Sequence, residues 1–371
     1  MELSSQDQLR LNVLLAQNLQ AVRIDESKME VHALSDKGEA KVALNPNSKH
    51  ERYLKSVRQL LSSHVLGSPG GYPVYLKRWT RMGQARDDSL AKLLLLGEPE
   101  AVVAVVHAPG LDDELARRAW WCEPSAENAR QMLKKEAVSR GSMGRELAKF
   151  LLEFLPFEET TFAMMESVRL VLRDTLVDDK EKLELWKKGR RKNTYYVGFL
   201  RECPEALPLD CEDHPRLVEV RHFVERNSHK GQIAELLIKV LSAKGQAFVT
   251  IAIEVLKKPN DQDVVIELFV ALQAYFRLNE FAMNNCREIA DVENNVRRIL
   301  GSENDSIKDI LDTNASIDDL VEATLFMSMV SPSLLDPVFG LTDAIGSVMR
   351  KRIAHIVEPI QSKLAILSAT K

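Results

Sequence analysis

Apolar positions change period along the chain. Residues 5–17 carry Leu9, Leu11, Leu14 and Leu15 behind Ser5 and Gln8, a helical spacing with a capping-box start. Between residues 21 and 44 the period falls to two. Val22 and Ile24 alternate with polar residues, then Met29, Val31 and Ala33, then Ala40, Val42 and Leu44. Period two predicts strands, and the polar segments DESK (25–28) and SDKG (35–38) supply the turns of a three-stranded antiparallel meander. Such a sheet has one apolar face to cover. Leu54, Val57, Leu61 and Val65 give the helix expected over 51–66 a matching stripe.

Beyond residue 88 helical signals dominate. Helices are expected over 89–96, 98–107, 112–121, 125–135, 138–155, 159–175 and 178–202, separated by Gly or Pro. The stretch AVVAVVH (101–107) is β-branched and short, but Pro99 suits a helix first turn and its neighbours are helical. The acidic, proline-bearing segment 204–216 marks a boundary. Helices follow over 216–226, 231–242, 245–257, 261–282, 284–299, 306–311, 316–330 and 341–366, with capping boxes read at Ser306/Asp309 and Ser316/Asp319. The stretch 264–281 is apolar on most sides, which predicts the central helix of its bundle. Glu267, Gln273 and Arg277 interrupt it, so it does not read as a membrane span.

The expected fold is mainly α. Stacked helical hairpins, HEAT-like or an irregular solenoid or bundle, follow a small N-terminal antiparallel β-meander. The expected domains are an α+β module (1–88), a helical hairpin region (89–208) and a C-terminal helical region (209–371).

Composition narrows the chemistry. The net charge of −4 offers no global attraction to nucleic acid. Charge is uneven, however: residues 1–200 hold 31 Lys+Arg against 28 Asp+Glu, and residues 201–371 hold 19 against 26. The opening MELSSQDQLRLNVLL has acidic Glu2 and Asp7 and no basic segment, so it does not read as a secretory signal. Cys122, Cys203, Cys211 and Cys286 form no CxxC pair, as suits a reducing cytoplasm. Cys203 and Cys211 flank a Pro-rich turn and are the candidate redox pair. The eight histidines show no metal-ligand spacing, and HExxH, GxSxG, GxGxxG and the P-loop pattern are absent. No metal, cofactor or catalytic residue is expected.

Two basic clusters with interleaved aromatics stand out. KRWTRMGQAR (77–86) offers Lys77, Arg78, Arg81 and Arg86 around Trp79. It follows the Gly/Pro-rich loop GSPGGY (67–72). WKKGRRKNTYYVGFL (186–200) offers Lys187, Lys188, Arg190, Arg191 and Lys192 beside Trp186, Tyr195 and Tyr196. Cations with aromatics are what single-stranded nucleic acid requires. The competing explanation is a basic helix C-terminus complementing its own dipole, with the aromatics in the core.

Residues 9–27, the 64–84 block, RRAWWCEPSAENARQML (117–133) and KKGRRKNTYYVGFLRECPEALP (187–208) resemble the DsrS family, encoded with the dissimilatory sulfur genes of sulfur-oxidising bacteria. The resemblance covers roughly the first 200 residues. It implies a soluble cytoplasmic accessory protein supporting or regulating oxidation of stored sulfur by the reverse dissimilatory sulfite reductase pathway, through protein contacts rather than catalysis. It implies no catalytic residue or cofactor. Two alternatives stand beside it: an RNA-binding post-transcriptional regulator using the basic clusters, and a cysteine-dependent sulfur carrier or enzyme.

Overall fold

The computed structural model describes residues 3–73, 75, 87–226, 231–279, 286–301, 317–341 and 343–369. The protein is mainly helical, with one small three-stranded antiparallel sheet near its N-terminus. It divides into two compact units, Met1–Phe154 and Leu155–Lys371.

The first unit opens with α1 (Ser5–Leu15). Its cap is Ser4 rather than Ser5: Ser4 Oγ accepts from the Asp7 amide at 3.3 Å. Asp7 is thereby drawn inward. It is fully buried, and its Oδ2 accepts from Tyr53 Oη at 2.5 Å and the Asn45 amide at 2.7 Å. Strands β1 (Leu19–Asp25), β2 (Glu30–Ser35) and β3 (Gly38–Ala43) pair in chain order. The register sets Val22 against Ala33, Ile24 against Val31, and Val31 against Val42. The apolar residues of alternate positions thus share one face, covered by α1 and α2 (His50–Leu66). Leu11, Leu15, Val22, Val31, Val57 and Leu61 form its core.

Further along this unit, the described residues form α3 (Asp87–Leu93), α4 (Pro99–His107), α5 (Asp113–Cys122), α6 (Ala126–Leu133), α7 (Glu136–Ser139) and α8 (Ser142–Phe154). AVVAVVH is helical, with Pro99 in the first turn. The helix expected over 138–155 is instead two. Asp113 reaches from α5 to accept from the Ser142 amide at 2.8 Å and the Met143 amide at 3.0 Å, starting a new helix there. A Cβ on Gly141 would lie 2.2 Å from Asp113 Oδ1, so the break needs glycine.

The second unit begins with a 3₁₀ turn, Leu155–Phe157. Then come α9 (Thr161–Val171), α10 (Asp179–Gly189), α11 (Thr194–Glu202), α12 (Leu217–Arg226), α13 (Gln232–Leu241), α14 (Ala243–Lys257) and α15 (Gln262–Tyr275). It ends with α16 (Ile289–Leu300), α17 (Asp318–Ser328), a 3₁₀ turn (Pro332–Leu334), α18 (Asp336–Phe339) and α19 (Gly346–Ile366). The expected central helix is α15, which packs against α9, α11, α14 and α17. It buries Val264, Val265, Leu268, Phe269 and Leu272, and it ends at Tyr275. The expected helix over 306–311 and residue Ser316 lie outside the described residues. Among the described residues no single helix is long and apolar enough to cross a membrane. The apolar pair α13 and α14 is bent by 77° at Ser242 and is largely buried.

Candidate polyanion-binding surface

The GSPGGY loop is bound to its own unit. Gly67 ends α2 with φ +70°, a left-handed cap. The Gly71 amide donates to Ser62 Oγ at 2.7 Å, and the Tyr72 amide donates to Glu98 Oε2 at 2.9 Å. Two amides that could face a phosphate are thus occupied internally, one by a carboxylate. A Cβ on Gly71 would lie 2.2 Å from Glu98 Oε1, so this glycine permits close approach of Glu98. An open cleft of about 370 Å³ lies beside the loop, lined by Lys55, Arg58, Glu98 and Glu100 among others. Its mixed charge selects no ligand class. The candidate residues Lys77, Arg78, Trp79, Arg81 and Arg86 lie outside the described residues.

The second basic cluster is built by a corner between α10 and α11. Asp178 opens α10 with a full capping box to Glu181. The helix stops at Gly189, over which the Tyr196 ring folds back; a Cβ there would sit 2.2 Å from Tyr196 Cε1. Trp186, Tyr196 and Phe199 form one aromatic knot, with Trp186–Tyr196 centroids 4.6 Å apart and Trp186–Phe199 centroids 4.9 Å apart. Trp186, Tyr195 and Tyr196 are buried, and burial raises both tyrosine phenols. None of these rings is presented for stacking on a base. Lys187, Lys188, Arg190, Arg191 and Lys192 are all exposed, and the Arg190 side chain hydrogen-bonds the Tyr196 phenol. The sequence motif therefore presents its cations to solvent while its rings are buried.

This corner is tied to two more basic segments. Asn193 Nδ2 donates to the Lys258 carbonyl at 2.8 Å, and Asn260 Nδ2 donates to Asn193 Oδ1 at 3.3 Å. The Asn260 carbonyl accepts from the Gly346 amide at 3.0 Å, at the start of α19. Arg350 Nη1 donates to the Pro259 carbonyl at 3.0 Å, and Gln262 Nε2 donates to the Ala344 carbonyl at 3.2 Å. The tethers bring together KKGRRK (187–192), Lys257-Lys258 and RKR (350–352). Lys257, Lys258, Lys351 and Arg352 are exposed, and Arg350 is half-buried.

The resulting surface is cationic against the trend of its surroundings, because residues 201–371 are acidic overall. These segments hold ten lysines and arginines; the carboxylates near them in sequence include exposed Glu184, three and four residues before Lys187 and Lys188 on α10, and Glu254, Asp261, Asp263 and Asp343. Asp261 is engaged, its Oδ1 accepting from the Val264 amide at 3.0 Å as the cap of α15. Burial and then the neighbouring Asp261 raise the Asp263 carboxyl. Elsewhere in the unit cations are neutralised: Arg173 pairs with Glu202 at 3.2 Å, Arg201 with Glu267 at 3.0 Å and Lys239 with Glu205 at 3.0 Å. Neighbouring cations repel one another, and a polyanion relieves that repulsion while releasing its own counterions. Sequence reading misses the contribution of 257–258 and 350–352. Their runs of charge are visible, but which runs meet depends on contacts between distant segments.

The cysteines are free thiols. Burial pushes Cys122 up to about 12 and Cys203 up to about 11, and it raises Cys211 as well. Each shift disfavours the thiolate that redox or sulfur-transfer chemistry needs. Among the described residues no group of three His, Cys, Asp or Glu is placed to hold a metal. Comparison with protein-family models, curated proteins and solved structures finds no match to this chain.

Proposed function

We propose that this chain is a non-enzymatic binding protein that holds a polyanionic partner on the basic face of its second unit. One observation carries this: the hydrogen-bond chain Lys258–Asn193–Asn260–Gly346, which brings three basic segments close together in a unit that is acidic overall. A nucleic acid would be met there through its phosphates, since the aromatics of the motif are internal. The raised thiols weigh against the cysteine-dependent alternative.

The resemblance to the DsrS family supports setting this binding in the cytoplasm, as accessory or regulatory support for oxidation of stored sulfur. The 187–208 block that carries part of the resemblance also supplies the first basic segment.

Heparin chromatography tests the binding. Wild-type protein should be retained and released only by added salt. A variant with Lys187, Lys188, Arg190, Arg191 and Lys192 all changed to Gln should elute at much lower salt with an unchanged melting temperature. Equal elution of the two proteins would overturn the assignment.

A further inference from the structure

Exposed aliphatic side chains lie just before the third basic segment in the chain. Leu341 is 86% exposed, Ile345 68% and Val348 53%. They precede Lys351 and Arg352 on the same stretch of chain. Ile345 caps α19, and Val348 sits three and four residues before the two cations, on the same side of the helix. The other side of α19 is anchored by buried Met349, Ile353, Ile356 and Ile360. The Gly346–Asn260 and Gln262–Ala344 hydrogen bonds fix where this apolar tip emerges. Ile345 and Val348 are thus held exposed beside the third basic segment, and the stretch from Leu341 to Val348 carries a single carboxylate, the exposed Asp343.

We infer that this surface docks on a lipid bilayer bearing anionic headgroups, with Leu341, Ile345 and Val348 entering the interface and the cations meeting lipid phosphates. The inference rests on the polyanion-binding assignment and names its partner. Two observations select a bilayer over a nucleic acid. The aromatics that would stack on bases are internal, and the aliphatics beside the cations have no counterpart on a phosphate–sugar backbone. A bilayer takes both, because apolar side chains enter the acyl boundary while basic residues stay among the headgroups. This is peripheral docking and needs no spanning helix.

Flotation with vesicles tests it, using the full chain with heparin retention measured in parallel. Wild-type protein should float with phosphatidylglycerol-containing vesicles and not with pure phosphatidylcholine. Changing Leu341, Ile345 and Val348 together to Ser should cut vesicle binding at least about tenfold while leaving heparin retention intact, because the lost interaction is apolar burial. These residues are exposed, and an unchanged melting temperature confirms the fold. Heparin retention without flotation of the wild type overturns the bilayer assignment alone. So does equal flotation of the triple variant, or retention of a hairpin RNA without vesicle binding. Absence of both heparin and vesicle binding overturns the polyanion surface itself.

Discussion

The side-chain amide of Asn193 donates to the backbone carbonyl of Lys258 across 2.8 Å, joining a helix corner to a loop 65 residues away. The same side chain accepts from Asn260 at 3.3 Å, so one residue fixes two basic segments relative to each other. Asn193→Ala removes both bonds without touching a charge. It should lower the salt needed to elute the protein from heparin while costing only about 0.5–1.5 kcal/mol in urea unfolding, the usual net worth of an exposed hydrogen bond. Unchanged elution would show that the cations act independently of their tether.

Gly71 and Glu98 form a second dependent pair. Gly71→Ala places a Cβ against the Glu98 carboxylate on a backbone with φ +60°. A loss of about 2–3 kcal/mol is expected, against about 1 kcal/mol for Gly67→Ala, where the backbone is also left-handed but nothing lies within 4 Å. In a Glu98→Ala background the excess at Gly71 should disappear. A double-mutant cycle in urea measures that coupling.

Acid should weaken the first unit through Glu114. Arg117 and then Arg118 hydrogen-bond its carboxylate at 2.8 Å and, against some burial, pull it down to about 2. A carboxylate lowered in the folded state contributes stability above its unfolded range, and loses it as pH falls through about 4.5 toward 2. Melting temperature plotted against pH should therefore fall in that window, and less steeply for Glu114→Gln. The group is half exposed, so the difference should shrink with added salt.

Alkylation separates structural from reactive thiols. With Cys203 at about 11, its thiolate at pH 8 is scarce, and iodoacetamide should label it about a hundredfold more slowly in the native than in the unfolded protein. Cys122, whose Sγ lies 3.6 Å from the Val22 carbonyl, should be slower still. Rapid native labelling of Cys203, read by mass spectrometry, would reopen sulfur-transfer chemistry.

Features decided within a few residues are legible in the sequence. Alternation at Val22, Ile24, Val31, Ala33, Ala40 and Val42 yields the meander, and the Leu54–Val57–Leu61 stripe yields the helix above it. Pro99 settles the helical state of a β-branched run. Features decided at a distance are not. The break at Gly141 requires Asp113, 29 residues from the Ser142 amide it caps. In WKKGRRKNTYY the cations and aromatics look like one ligand-facing motif. In the fold the cations are exposed while Trp186, Tyr195 and Tyr196 are buried, the Tyr196 ring lying against Gly189. The meeting of 187–192 with 257–258 and 350–352 depends on packing of α11, α14 and α19, which no local spacing encodes.

The tethered basic face exists only once segments from residue 187 to residue 352 have come together. A partner that recognises all three segments therefore distinguishes the native chain from the unfolded one. It acts as a folding ligand: at a concentration a hundred times its dissociation constant it adds about 2.7 kcal/mol to the stability of the second unit. Thermal stability measured with and without the partner thus reports occupancy of the face. A fragment ending between the second and third segments would carry much of the charge but lack the complete assembled face.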